Sequence, residues 1–240
     1  MAVHNHSDFI LSPITEILED AVSANAGIGD GIETYPLYDY VMQSVFLKMT
    51  GYQEQKMKCI CWDMATHDYE YRYKRYTLKT LGECSAYDEK KIIYKDLIDQ
   101  IKKNDSGFEL PSIINHGTLV AKIKQDIEQI FLNTNLASWA QNSFADFVAT
   151  PNLILAHHFA SESNLFENVL QEKYALLFIH RNRCAHNTQS YQQNLPTLKT
   201  LLKENYRYDN YFVRFYLLIL IDEIFRKLYK SYLDLLGDET

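Results

Sequence analysis

The sequence predicts an all-α protein, on three observations. Eight glycines and five prolines in 240 residues are too few to punctuate many short strands. Eighteen tyrosines and twelve phenylalanines supply the large apolar surfaces that pack long elements together. Apolar residues also recur at three- and four-residue spacings, the period of one helix face. With 47% hydrophobic residues the chain can bury one sizeable core, so residues 1–240 read as a single helical domain. The best candidate for a sub-boundary is the stretch 104–111.

Ser12-Pro13 suits the start of a first short helix, with serine as cap and proline in the first turn, running through Ile14, Ile17 and Leu18. The cluster Gly27-Ile28-Gly29-Asp30-Gly31 ends it. No strand precedes those glycines and no Gly-Lys-Ser/Thr follows, so they read as a connector rather than a phosphate loop. A long helix begins near Pro36 and carries Leu37, Tyr40, Val41, Val45 and Leu47; after Gly51 the pattern resumes at Met57, Ile60, Cys61 and Met64. Another helix spans roughly 87–103, closed by the turn chemistry of Asn104-Asp105-Ser106-Gly107. Leu119, Val120, Ile123, Ile127, Ile130 and Phe131 mark an amphipathic helix between the breaks at Pro111 and Pro151. Leu165, Val169, Leu170, Tyr174, Leu177 and Phe178 form the next apolar stripe. After a linker holding Pro196, a last helix over about 208–236 is apolar almost all round, which places it at the centre of the core or against a second chain.

A formal charge of −7 excludes a general coat for nucleic acid and confines any such contact to a local basic cleft. The four cysteines, Cys59, Cys61, Cys84 and Cys184, lack the paired spacing of a secreted disulfide framework, and the N-terminus lacks a signal pattern. A cytoplasmic location is expected. The longest apolar run, Tyr216 to Ile221, falls far short of the ~20 residues that cross a bilayer, so no membrane is expected as a partner.

The stretch most in need of a chemical explanation is His180-Arg181-Asn182-Arg183-Cys184-Ala185-His186-Asn187, at the end of the fifth apolar stripe. On an ideal helix Asn182 and His186 share a face, whereas Arg181 and His186 diverge by roughly 140°. Either the helix unwinds near Cys184, or the complementary arginine comes from a second copy across a two-fold axis. Histidine can take and return a proton near neutral pH, and arginine can clamp a phosphate through paired hydrogen bonds. RNA carries its own nucleophile, the 2′-hydroxyl, so a base, an acid and a cationic clamp suffice; no metal or cofactor is required. A plain helix C-terminus would account for the cations, but not for Asn182 and His186 on one face.

Arg181-Asn182-x-x-x-His186 resembles the signature of the HEPN domain superfamily: an arginine, a polar residue and, a few residues on, a histidine. The resemblance implies an all-α bundle of long antiparallel helices, with the motif region at about 160–236, and a metal-independent endoribonuclease of a toxin, antiphage or stress-response system. It further implies a homodimer whose two motifs share one cleft. Arg181 is then the phosphate clamp, Asn182 its polar companion and His186 the general acid or base. One branch of that family has a tyrosine two residues after the histidine; here the position is Thr188, which speaks against that branch's modification mechanism.

Other residues carry weaker signals. Arg183 and Asn187 flank the motif as candidate substrate contacts, while His180 either touches substrate or faces solvent. In Tyr69-Glu70-Tyr71-Arg72-Tyr73-Lys74-Arg75-Tyr76, tyrosines interleave with cations, so Arg72, Lys74 and Arg75 are candidate RNA contacts. The alternative is a tyrosine-lined element with a solvated cationic side. Glu54, Lys56 and Lys58 form a polar cluster on an apolar helix, and such a carboxylate can hold Arg181 in place. Cys59 and Cys61 read as core thiols, His157 and His158 as surface or satisfied core, and Asp63, His67 and Glu70 as a polar face. Two functions therefore compete: the endoribonuclease, and a non-catalytic module that uses the motif to bind RNA or protein. An inhibitory partner protein belongs to the toxin form of the first.

Overall fold

The computed structural model describes residues 6–29, 31–34, 36–151, 153–186 and 210–237, the side chains of Ile32, Gln141 and His186 aside. These residues form helices α1 (His6–Leu11), α2 (Glu16–Asn25), α3 (Pro36–His67), α4 (Tyr69–Tyr73), α5 (Tyr87–Asn104), α6 (Leu110–Ile113), α7 (His116–Phe131), α8 (Asn135–Trp139), α9 (Gln141–Ala149), α10 (Asn168–His186) and α11 (Tyr211–Gly237). A π-helical turn, Lys74–Leu78, extends α4. Among the described residues there is no strand, only an isolated bridge between Phe159 and Phe166, and no helix is long and apolar enough to cross a membrane. The linker around Pro196 lies outside the described residues.

The first helix differs from its expectation. Ser12 and Pro13 sit between two helices rather than at the head of one: Ser12 Oγ donates to the Phe9 carbonyl at 2.8 Å and closes α1, and α2 starts three residues beyond Pro13. The chain turns there because it is tied to the core: the Ile14 amide donates to Asp222 at 3.1 Å, and Arg226 Nε donates to the Leu11 carbonyl at 2.7 Å. Gly51 does not interrupt α3, which runs through it for 32 residues, since packing of the flanking apolar turns outweighs one residue's helix penalty of about 1 kcal/mol.

The last helix lies at the centre of the core. Residues 211–222 are buried on every side, against α1, α3, α5, α7 and α9, which resolves the expected choice between core and interface. Phe212 and Phe215 meet the Phe131 ring edge-on and stacked, with centroids 5.0 and 6.2 Å apart, and Tyr216 donates to the Val120 carbonyl at 2.9 Å.

Helix direction corrects the antiparallel expectation for three of the long helices. Gln53 meets Leu218, Lys56 meets Asp222 and Asp63 meets Tyr229, so residue numbers rise together and α3 runs parallel to α11. Glu54 lies near Lys90, Cys61 near Asp96 and Asp68 beside Lys103, so α3 also runs parallel to α5. Parallel neighbours need a returning connection. Residues 69–86 supply it: Asp68 caps α4 by accepting the Tyr71 amide at 3.0 Å, Arg75 grips Asp96, and Lys58 reaches back to Glu83 at 2.5 Å.

Lys56, from the cluster with Glu54 and Lys58, and Asp63, from the expected polar face, prove internal, whereas His67 and Glu70 are exposed. Lys56 and Asp222, with side chains 1% and 2% exposed, form a 2.7 Å ion pair, and Lys56 also donates to the Ser12 carbonyl. Asp63 is not on an open polar face; it accepts from Tyr229 at 2.5 Å and pairs with His6 at 3.0 Å, tying α1 to α3 and α11.

Candidate functional site

Helix α10 continues unbroken through His186, so the motif occupies its last turn and a half and the unwinding considered near Cys184 does not occur. The ideal-helix geometry therefore applies, and positions 181 and 186 project in diverging directions. The side chain of His186 and the whole of Asn187 lie outside the described residues.

Arg181 points into the fold. Its Nη2 donates to Glu54 Oε1 of α3 at 3.0 Å, the contact expected of that carboxylate, and its Nη1 donates to Asn182 Oδ1 at 3.2 Å. Asn182 thus orients the arginine. A carboxylate and an amide holding one side of a guanidinium fix its plane and leave further N–H donors for an incoming anion.

The cleft around this pair is lined by Thr50, Gln53, Glu54, Lys90, Tyr174 and Arg181. Lys90, from α5, is fully buried at its base and donates to the carbonyls of Cys84 and Ser85 at 2.7 and 3.1 Å. Cys84 holds a left-handed φ of 61°, a conformation costing on the order of 1 kcal/mol that this ammonium ties in place. Tyr174 hydroxyl donates to the same Ser85 carbonyl at 2.9 Å, and its ring faces Lys90 Nζ at 5.6 Å. Burial pushes the Lys90 ammonium down to about 8, while Glu54 nearby pulls it up. Gln53 donates to the Leu218 carbonyl at 3.0 Å and keeps a buried Oε1 with no hydrogen-bond partner among the described residues. The pocket, about 10 Å³ and so no larger than one water, holds two cations, one carboxylate and one unmatched acceptor.

Lys90 and Tyr174 were not singled out from sequence. Lys90 sits in the run Asp88-Glu89-Lys90-Lys91, which reads as a solvated helix start, and Tyr174 as one more apolar-stripe residue.

His180 neither contacts the cleft nor faces open solvent. Its Nε2 lies 3.1 Å from Tyr211 hydroxyl and 3.4 Å from Cys184 Sγ, and its ring packs 5.4 Å from that of Phe46. Burial, then the charges of Arg214 and Arg183, push this imidazole down to about 3. It is neutral at ordinary pH and serves as a joint between α10, α3 and α11. Burial likewise pushes the Cys184 thiol up, so the Cys–His contact is not an activated nucleophile. Between pH 3 and 6.5 the unfolded chain takes a proton at this position that the folded chain refuses, so stability is full above 6.5 and falls toward pH 3. Denaturant titrations across that range are expected to give a flatter pH profile for His180→Gln than for the parent.

Arg183 is exposed, at the same spacing as Val169, Leu176 and Ile179, which form an exposed apolar stripe along the outer face of α10. Position 186 is seven residues beyond Ile179, hence on the same side of an ideal helix. Arg72 and Lys74 are exposed at the α4 end of the molecule, but Arg75 does not join them: its Nε and Nη2 both donate to Asp96 at 2.6 Å, with the side chain 10% exposed. Cys61 is a core thiol as expected, and Cys59 is half-buried. His158 accepts the Leu155 amide at 3.3 Å, stabilising its own turn, with the His157 ring 4.4 Å away. No group of three His, Cys, Asp or Glu residues among those described is placed to hold a metal ion. The chain matches no family model, no curated protein and no solved structure.

Proposed function

We propose that the chain is a metal-independent endoribonuclease of HEPN type, working as a homodimer. The observation that carries this reading is the held Arg181: a guanidinium fixed by Glu54 and Asn182 at the rim of a cationic cleft, at the end of the helix that carries His186. In the reaction the RNA 2′-oxygen forms a bond to phosphorus and the P–O5′ bond breaks, leaving a 2′,3′-cyclic phosphate and a 5′-hydroxyl. One histidine accepts the 2′-hydroxyl proton, and a protonated histidine supplies one to the departing 5′-oxygen. Arg181 stabilises the extra negative charge on the phosphoryl oxygens.

The dimer follows from the divergence of positions 181 and 186. Position 186 shares its side of α10 with the exposed Ile179, so a second copy packed along Val169, Leu176 and Ile179 would bring two such positions to one axis. Val169, Leu176 and Ile179 are 48%, 57% and 48% exposed, so covering them would supply roughly half of the ~1.5–3 kcal/mol of a full burial each. A cytoplasmic setting and an inhibitory partner belong to the toxin or antiphage form of the same proposal.

The second reading is a non-catalytic module that binds RNA or protein. It is favoured by the Arg181–Glu54 pair itself, because a guanidinium already matched by a carboxylate is also what a purely structural contact looks like. Purified parent, His186→Ala and Arg181→Ala chains incubated with structured RNA separate the two. The endoribonuclease requires cleavage by the parent and its loss in both variants with helical content unchanged. Equal cleavage by all three, or none by the parent with RNA binding intact in His186→Ala, goes against it.

A further inference from the structure

The return segment between α3 and α5 presents a surface that the cleft does not use. Tyr69, Tyr73 and Tyr76 are 70%, 49% and 47% exposed, at i, i+4 and i+7 along α4 and its π-helical extension. Tyr71, pointing the other way, is buried. Exposing three phenol rings on one side of a short segment is costly in water unless something covers them. The two rings within α4 are separated by about 6 Å along its axis, one helical turn.

The charges around the stripe indicate what covers it. Arg72, Lys74 and Lys79 are exposed, and the Arg72 guanidinium sits 5.3 Å from the Tyr69 ring. Two of the neighbouring carboxylates are already matched: Asp68 accepts from Gln100 and Lys103, and Asp96 from Arg75 with the half-exposed Lys74 ammonium 3.6 Å away, leaving Glu70 as the one exposed carboxylate within the segment 69–79. A chain of net charge −7 thus carries a locally cationic, aromatic strip. The bidentate grip of Arg75 on Asp96 fixes the segment to α5, so the rings are held outward at no cost in ordering when a ligand arrives.

We propose that Tyr69, Tyr73 and Tyr76, with Arg72, Lys74 and Lys79, form a binding site for single-stranded RNA, stacking successive bases on the phenol rings while the cations meet phosphates. Arg75 is a positioning residue of this site rather than a contact. The site adds a second contact for the RNA of the proposed nuclease. Along α5 the site lies between Asp96, the anchor of Arg75, and Lys103, beside Asp68, about 9 to 20 Å from Lys90, a separation that a bound strand of about 4–16 nucleotides spans. Stacking accepts every base, so the site holds unpaired strand without reading its sequence.

The test is fluorescence anisotropy with a labelled 2′-O-methyl oligouridylate of about twelve nucleotides, within the range such grooves hold and unable to undergo 2′-hydroxyl attack. The triple variant Tyr69→Ala, Tyr73→Ala, Tyr76→Ala is expected to bind at least about fivefold more weakly than the parent, the lower end of the loss for one stacked base. The corresponding triple Tyr→Phe variant keeps the ring faces and is expected to bind as the parent does. Unchanged affinity in the alanine variant overturns the proposal, as does an equal loss in the phenylalanine variant. A change of solution mass in the alanine variant with RNA affinity intact also overturns it, by making the stripe a protein contact. Stripe-dependent binding without cleavage of natural RNA by the parent would sustain this site while removing the nuclease reading.

Discussion

Replacing Lys56 with methionine is expected to destabilise the protein by about 3–5 kcal/mol, the usual cost of leaving one member of a buried ion pair uncompensated. Lys56 joins three parts of the fold at one ammonium: it belongs to α3, pairs with Asp222 of α11 and donates to the Ser12 carbonyl at the α1–α2 turn. Asp222 completes the knot by accepting the Ile14 amide. Burial pushes the lysine down and the aspartate up, while their mutual attraction opposes both shifts. Without the ammonium, Asp222 must either keep a charge in an apolar interior or take a proton. The double variant Lys56→Met, Asp222→Asn removes both charges at nearly unchanged volume, keeps an acceptor for the Ile14 amide and is expected to recover much of the loss. Urea denaturation followed by far-ultraviolet circular dichroism measures both. A single variant as stable as the parent would mean that the pair does not hold the N-terminal helices in place.

Under the proposed ribonuclease function, the second large effect is on cleavage. Arg181→Ala is expected to lower kcat by about 10²–10³-fold, the range for losing one preorganised donor to a developing oxyanion. Arg181→Lys is not expected to restore it, because an ammonium cannot offer the planar fork that Glu54 and Asn182 align. Glu54→Gln keeps the shape and removes the charge, so the guanidinium is held less firmly and kcat is expected to fall by about tenfold, or 1.4 kcal/mol. KM is expected to move less than kcat in Glu54→Gln, since that carboxylate acts through Arg181 and does not itself meet the phosphate. An unchanged kcat in Glu54→Gln would show that the pair is structural only.

The helical architecture was legible because its signals are local and repeated: α5, α7 and α11 begin and end within a few residues of their apolar patterns. What escaped was set by distant contacts. The helix α1 has six residues and one buried side chain, too little for a period to register, and it persists through its ties to Asp63, Tyr229 and Arg226. The parallel run of α3 with α5 depends on the returning segment 69–86, whose tyrosine-rich pattern resembles a surface face as much as a crossover, and that of α3 with α11 on pairings more than 160 residues apart in sequence. Within the candidate site, Arg181, Asn182 and Glu54 were legible because a cation, an amide and a carboxylate on otherwise apolar helices stand out. Lys90 and Lys56 were not, since nothing in a single sequence separates a lysine whose stem and head are both buried from one that reaches solvent.

Incubating the purified parent with transfer and ribosomal RNA in excess EDTA, beside His186→Ala, and identifying the fragment ends tests the central claim most directly. Fragments with 2′,3′-cyclic phosphate and 5′-hydroxyl ends are expected from the parent, and intact RNA from the variant. Fragments from both proteins, or 3′-hydroxyl ends that disappear with EDTA, would contradict it.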